Sequence, residues 1–238
     1  ETISPKNIER VKALGGGIAI QDRMAFQGEY FVDRYGKRAA EATPPIKRML
    51  AEGVPVGAGT DATRVSSYNP WTSLYWMVSG RTVGGLELYP EGLSRETALE
   101  LFTRGSAWFS SEQGKKGQIK VGQLADVVAL SQDFFSVPEE SIKWIESVLT
   151  VVDGKVVYGA AEFDDLSPPS VPVLPDWSPV AKVPGHWRAG APMAAAVHQC
   201  SGPCGVHAHS HDKARMSKVP VSDFQGFWGA FGCSCFAF

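Results

Sequence analysis

The chain has 238 residues, of which 44% are hydrophobic and 20% charged, and this composition is typical of globular proteins with one large or two small domains. Its 23 basic and 25 acidic residues give a net charge of −2, which disfavours nucleic acids and anionic membrane surfaces as partners. No apolar run approaches the roughly 20 residues that cross a bilayer, and the N-terminus has no signal-like pattern. Because the first residue is Glu1 rather than Met, we expect processing or a longer parent polypeptide, located in the cytoplasm or the periplasm.

The first elements of the chain alternate between helix and strand. Ser4 and Pro5 predict a helix start, with serine as the N-cap and proline at the first helical position. Glycines at positions 15–17 end this helix, and residues 18–20 predict a short buried strand. The mixed sequence from 24 to 42 predicts a long loop with helical turns.

A second helix and strand lead to a carboxylate. Residues 43–45 predict the helix start, and the apolar run at 54–58 predicts a strand that leads through two small residues to Asp61. In α/β proteins the carboxyl end of a strand is the usual place for chemistry. Asp61 is therefore a candidate functional residue, although aspartate at such a position also commonly caps a turn.

The later elements change from helical to β periodicity. Asn69 and Ser94 predict the N-caps of two further helices. The order of helix, strand, helix, strand and helix favours parallel strands with crossover helices. Beyond residue 113 the sequence predicts a small antiparallel β module. The module would contain alternating residues at 117–122, an apolar strand at 125–130 and a hairpin at 145–158. Asp126 is expected to be a turn residue before the strand.

Three segments carry a family resemblance. They are Gly53-Val54-Pro55-Val56 with Gly59-Thr60-Asp61-Ala62, Lys116-Gly117-Gln118-Ile119 with Gly122-Gln123-Leu124-Ala125-Asp126-Val127-Val128, and Val151-Val152-Asp153-Gly154-Lys155-Val156-Val157-Tyr158. In this order they resemble the C-terminal part of the amidohydrolase superfamily, in the branch called amidohydrolase family 3, which includes N-substituted formamide deformylases. The resemblance covers residues 1 to about 160.

The resemblance implies an α/β fold built as a (β/α)₈ TIM barrel with a small β-sandwich. Residues 1–112 would supply the last two βα units of the barrel, and residues 113–164 would supply part of the composite antiparallel sandwich. Residues 165–238 form a Pro-rich arm and a tail that are not part of the common pattern.

The resemblance also implies metal-dependent hydrolysis of carbon–nitrogen bonds in a small amide-like substrate. Asp61 matches an aspartate of the family that either binds a divalent metal or takes the proton of the attacking water. We expect the metal to be zinc, as one or two ions. The expected substrate contacts are Gln21 and Arg23, at the end of the other strand, and Arg64, which follows Asp61.

The other metal ligands of the family have no counterpart in residues 1–185, which contain no histidine or cysteine. The family carries a His-x-His, a bridging lysine or acid and two further histidines on earlier strands. We therefore expect the missing N-terminal barrel portion to come from elsewhere, possibly from another chain, and we expect the isolated chain to be inactive. A homo-oligomer is also expected. The alternative is a non-catalytic subunit or binding module that retains the late strands of the fold.

All four cysteines and five histidines lie in the tail. Those with candidate zinc-ligand chemistry are Cys200, Cys204, His207, His209, His211, Cys233 and Cys235. Their spacings fit no standard zinc finger. A structural metal site, one or two disulfides, and neither of these remain open interpretations.

Overall fold

The computed structural model describes residues 2–62 and 66–169. Arg64 and the cysteine- and histidine-rich tail lie outside the described residues, so their expected roles stay predictions. Within the described ranges, no helix combines the length and the apolar character that a membrane span requires. The described part consists of an α/β unit followed by a small antiparallel module.

The α/β unit contains two strands separated by helices. Its first elements are α1 (Pro5–Ala13), β1 (Ile18–Gln21), α2 (Arg23–Tyr35), α3 (Lys37–Ala40), α4 (Ile46–Ala51) and β2 (Val56–Gly59). They are followed by α5 (Pro70–Ser79), α6 (Arg95–Glu100), a π-helical turn (Leu101–Gly105) and α7 (Ser106–Phe109). Three predicted helix starts are confirmed, because Ser4, Asn69 and Ser94 each accept a hydrogen bond from a backbone amide of the first turn.

The antiparallel module contains β3 (Val127–Leu130), α8 (Glu139–Ile142), β4 (Ser147–Val152), β5 (Lys155–Gly159) and a 3₁₀ helix (Ala161–Leu166). β4 is the central strand and pairs antiparallel with β3 and β5. The predicted hairpin between β4 and β5 is confirmed. Asp126 is structural, as expected, because its Oδ1 accepts a hydrogen bond from the amide of Asp153 at 2.8 Å.

β1 and β2 pair in parallel, as the alternating element order predicts. Ile18 lies opposite Val56 at the start of the pair, and Gln21 lies opposite Gly59 at its end. Because the two strands run in the same direction, their carboxyl ends meet at one edge. The connection between them contains three helices, α2, α3 and α4, which is the crossover that a parallel pair requires.

The core is built around α5, in which every residue from Trp71 to Val78 is buried. It forms one cluster with residues from both parts of the described chain, including Ile20 of β1 and Val56 of β2. From the antiparallel module, Phe134 and Ile145 join the same cluster. The two parts therefore share a hydrophobic core. The expectation that Trp71 and Tyr75 are core residues is confirmed.

The long loop predicted for residues 24–42 is wrong in its first half, because α2 is a regular helix of 13 residues. Its residues Met24 and Gly28 are buried one turn apart, and Phe31 and Val32 pack against the core one turn further. This is the apolar stripe of a surface helix. Of the charged residues in this helix, Asp33 and Arg34 are exposed, whereas Glu29 is partly buried and accepts a hydrogen bond from the Thr82 hydroxyl at 2.6 Å.

The strand-like alternation at 117–122 does not form a strand. Gly117 and Gly122 have φ angles of +89° and +90°, so the chain turns at both ends of the run and cannot continue along a ladder. The side chains of Ile119 and Val121 are consequently 95% and 101% exposed. The antiparallel sheet begins only at Val127.

The helix formed by α6, the π-turn and α7 packs closely on β2 through glycines. A Cβ added at Gly57 would lie 2.8 Å from the Phe109 ring and 3.1 Å from the carbonyl oxygen of Gly105. A Cβ at Gly105 would clash with the carbonyl oxygen of Val56. Larger residues at these positions would push the helix away from the strand.

Polar contacts join α5 and α6 to the antiparallel module. From α5, the Tyr75 hydroxyl donates to Glu140 Oε1 at 2.7 Å, and within the module Lys143 Nζ donates to Glu140 Oε2 at 2.7 Å. From α6, the guanidinium of Arg95 donates to the carbonyl oxygens of Phe134 and Val137 at 2.5 and 2.6 Å. Because hydrogen bonds are directional, these contacts restrict the orientation of the two parts that share the apolar core.

We predict that Gly57→Ala lowers the free energy of unfolding by about 1–3 kcal/mol, the usual range for overpacking a close contact. Gly59→Ala is the matched control in the same strand, because a Cβ there meets no described atom within 4 Å. Urea denaturation followed by circular dichroism measures both variants. Equal stability of the two would contradict the proposed packing of Phe109 on the strand.

We also predict a loss of stability at alkaline pH. Burial, together with the hydrogen bond to Glu140, raises the pKa of Tyr75 from 10.0 to about 12, and burial raises the pKa of Tyr158 to about 12. The contribution of these neutral phenols to stability is complete below pH 10 and is lost as the pH rises through 12. The free energy of unfolding should therefore fall across this window.

Tyr75→Phe should make this fall smaller, because only Tyr158 then contributes, whereas Tyr35→Phe at an exposed position should leave it unchanged. The measurement is urea denaturation at several pH values between 8 and 12. An unchanged fall in the Tyr75 variant would exclude the assigned role of its hydroxyl.

Candidate functional site

The candidate site lies at the edge where β1 and β2 end together. Gln21 is the last residue of β1 and pairs with Gly59, the last residue of β2, and Asp61 follows two residues later. An open depression of about 270 Å³ runs along these strands. Residues that line it include Gln21, Gly57, Gly59, Asp61, Ser106 and Phe109.

Asp61 is exposed and stands in a left-handed turn with a φ angle of +54°. The preceding Thr60 holds this turn, because its Oγ1 accepts a hydrogen bond from the amide of Ala62 at 3.3 Å. The Thr60 carbonyl in addition accepts a hydrogen bond from the buried hydroxyl of Ser66. Asp61 lines the depression, and its carboxylate has no hydrogen-bond or salt-bridge partner among residues 2–62 and 66–169.

The last residue of β1, Gln21, and the two residues that follow it, Asp22 and Arg23, have different environments. Gln21 is half-buried and lines the depression with Asp61, as the sequence predicts. Asp22 is fully buried and accepts a hydrogen bond from the hydroxyl of Ser73, which ties the end of β1 to α5. Arg23 begins α2 and is half-buried. The structure thus brings Gln21 and Asp61 together at the depression, whereas Arg23 is not among the residues that line it.

Ser106 and Phe109 line the depression but were not expected from the sequence. Ser106 Oγ lies 2.9 Å from the carbonyl oxygens of Ala58 and Leu101. Phe109 lies against Gly57 and remains 41% exposed toward the depression. Both residues belong to a helix whose sequence shows only an apolar stripe, and no motif there indicates a site.

The described residues do not by themselves fit a divalent metal. No group of three or more histidine, cysteine, aspartate or glutamate side chains that could hold an ion is present among residues 2–62 and 66–169. Protein zinc sites use three or four such ligands. Asp61 alone supplies one carboxylate. A complete metal site would require ligands from outside the described residues.

Comparison with known proteins agrees with the geometry. A model of the amidohydrolase family matches residues 1–158. The chain is 26% identical over 156 residues to the amidohydrolase YtcJ of Bacillus subtilis, covering 63% of this chain and 29% of that protein. It is 27% identical over 115 residues to N-substituted formamide deformylase of Arthrobacter pascens, covering 48% of this chain and 21% of that protein.

A solved structure shows a related fold. An uncharacterized metal-dependent hydrolase from Pyrococcus horikoshii OT3 superposes with a TM-score of 0.50 at 25% identity, covering 58% of this chain and 29% of that chain. The chain therefore spans less than a third of the length of these relatives. The matched region contains β1, β2, Asp61 and the antiparallel sheet. The chain belongs to the amidohydrolase family, as a member of amidohydrolase family 3.

Proposed function

We propose that this chain is the C-terminal portion of a metal-dependent hydrolase that cleaves carbon–nitrogen bonds in small amide-like molecules. One observation carries the proposal. Within a region that matches the amidohydrolase family, a free carboxylate, Asp61, lies at the shared carboxyl edge of two parallel strands and faces an open depression. This is the edge at which α/β enzymes place their reacting groups.

The parallel pair supports the proposal that β1 and β2 are the last two strands of a (β/α)₈ barrel. Each strand follows a helix and leads to a further helix, and the two strands are parallel. Two strands cannot close a barrel, which takes about eight strands. The other strands would come from a portion outside the described residues. The antiparallel sheet would then form part of a composite sandwich.

The proposed role of Asp61 is to accept the proton of the attacking water. A carboxylate is the type of side chain that serves as a general base, and Asp61 is exposed and lines the depression. It stands in a left-handed turn two residues beyond the end of β2. Passing the same proton to the leaving nitrogen would complete amide cleavage.

The cofactor we propose is a divalent metal, most simply zinc, as one or two ions shared between Asp61 and ligands outside the described residues. Since Asp61 is a single ligand, we further propose that the 238-residue chain alone is inactive. The missing ligands would come from the N-terminal barrel portion, either in the same polypeptide or in another chain. The assembled enzyme is proposed to be a homo-oligomer.

The substrate contacts we propose are Gln21, Arg23 and Arg64. Gln21 carries both an amide donor and an amide acceptor next to Asp61, which suits an amide-like substrate. Arg23 begins α2 beside Gln21, and Arg64 follows Asp61 in the sequence. The deformylase relative acts on N-substituted formamides, so these compounds are the first substrates to test.

We predict that Asp61→Asn lowers kcat for hydrolysis of N-substituted formamides by about 100-fold or more, the usual loss when a general base is removed. The variant is introduced at the native locus, and the protein is purified from its source with whatever portion completes it. Formate release measures the reaction.

Asp153→Asn is the matched control. Asp153 is also an exposed aspartate with a left-handed φ, here +50°, but it lies in the hairpin turn of the antiparallel module. Asparagine tolerates this conformation equally well. Full activity in the Asp61 variant would overturn the catalytic proposal. Hydrolysis by the recombinant 238-residue chain alone would overturn the proposal that it is inactive, and an inactive native assembly would favour a binding module.

We propose a second metal site in the tail, with the cysteines and histidines named above as ligands. The supporting observation is that residues 1–185 contain none of the nine cysteines and histidines. We predict that the full chain purifies with zinc and that residues 1–169 alone do not. Elemental analysis with thiol titration of the native protein measures this. Zinc-free protein without titratable thiols would indicate disulfides instead.

A further inference from the structure

The helix next to β2 contains an irregular turn directly before Ser106. A π-helical turn spans Leu101–Gly105, between α6 and α7. Such turns are rare inside helices and are frequently found at functional sites. Here the turn ends at Gly105, whose lack of a side chain lets the helix approach the carbonyl oxygen of Val56. Ser106 is the next residue, so the turn places the Ser106 hydroxyl next to β2.

The Ser106 hydroxyl connects the π-turn to the end of β2. Its Oγ lies 2.9 Å from the carbonyl oxygen of Leu101, which belongs to the turn, and 2.9 Å from that of Ala58. A hydroxyl has one hydrogen, so the two carbonyls share it. Ala58 precedes Asp61 by three residues, and its carbonyl points away from β1 because neighbouring carbonyls in a strand alternate in direction.

The end of the strand directly before the candidate base is therefore held at two carbonyl groups. Ser106 donates a hydrogen bond to the carbonyl of Ala58. Ser66 donates a hydrogen bond to the carbonyl of Thr60, the residue before Asp61. Between these anchors lies Gly59, where an added Cβ would meet no described atom within 4 Å, so side-chain packing does not restrain the strand end there. The hydrogen bonds carry the restraint.

We propose that Ser106 is a positioning residue for Asp61, acting through the carbonyl of Ala58. The inference rests on the proposed function of Asp61 as the base. Ser106 would fix the position of the end of β2. It would thereby set the distance between the Asp61 carboxylate and a substrate in the depression, which Ser106 itself lines. A displacement of about 1 Å at a reacting group costs on the order of 100-fold in rate.

The test compares Ser106→Ala with Ser110→Ala. Ser110 lies directly after α7 and its hydroxyl donates to the carbonyl of Ala107 at 3.1 Å, but it makes no hydrogen bond to β2 among the described residues. Amide hydrogen exchange is measured by NMR on the ¹⁵N-labelled 238-residue chain. Ser106→Ala should accelerate exchange at Gly59, which pairs with Gln21 at the end of the ladder, by up to about tenfold, the loss expected for one hydrogen bond. Ser110→Ala should not.

A merely structural role predicts a different pattern. If Ser106 only stabilises the helix or the whole fold, exchange at Ile20 in β1 and at Trp76 in α5 would accelerate as much as at Gly59, and this result would overturn the inference. Ser106→Thr, which keeps the hydroxyl, should restore slow exchange. If Ser106→Ala does not fold, Ser106→Cys carries the test, because its thiol is similar in size and a weak donor.

A kinetic measurement on the natively assembled enzyme separates this inference from the proposed function. Ser106→Ala should lower kcat with little change in KM, because it misplaces the base rather than removing a substrate contact. If Asp61→Asn is inactive and Ser106→Ala changes neither kcat nor exchange at Gly59, the positioning role is wrong. If Asp61→Asn is fully active while Ser106→Ala still accelerates exchange at Gly59, the proposed function is wrong and the contact stands.

Discussion

The parallel pairing of β1 with β2 is the constraint on which the candidate site depends. It sets Gln21 beside Gly59, so that the residues following both strands meet at one edge. A shift of β2 by one residue would turn the buried side chain of Val56 away from the core. The buried aliphatic side chains of the strands therefore hold the register, and the register holds Asp61 next to Gln21.

Close helix packing stabilises this pair from one side. Gly57 and Gly105 bring the π-turn and α7 onto β2, where larger residues would clash. The buried helix α5 fills the space behind the strands and contacts the antiparallel module, and Ser73 at its centre donates a hydrogen bond to Asp22 at the end of β1. The strand ends are thus fixed by neighbours on three elements, whereas the depression in front of them stays open.

Membership of the amidohydrolase family and the single carboxylate at the depression lead to one picture of the site. The described residues provide a carboxylate, an amide side chain and glycines along the depression, and no group of three or more potential metal ligands is present among them. A metal bound at Asp61 would therefore need ligands from outside the described residues. The chemistry we propose therefore belongs to the assembly in which these strands take part, with this chain contributing the position of the proton acceptor.

Local sequence determined the parts of the molecule that depend on neighbouring residues. The caps at Ser4, Asn69 and Ser94, the turn at Asp153 and the carboxylate after β2 all follow from short-range chemistry, and the family motifs gave Asp61 its expected role. Tertiary structure alone decided the rest. The sequence did not predict α2 as a regular helix, because its apolar stripe is stabilised only by packing against the core. Ser106 contacts the end of β2 at a separation of 48 residues in the sequence. Contacts of that separation arise from packing, which no local pattern records.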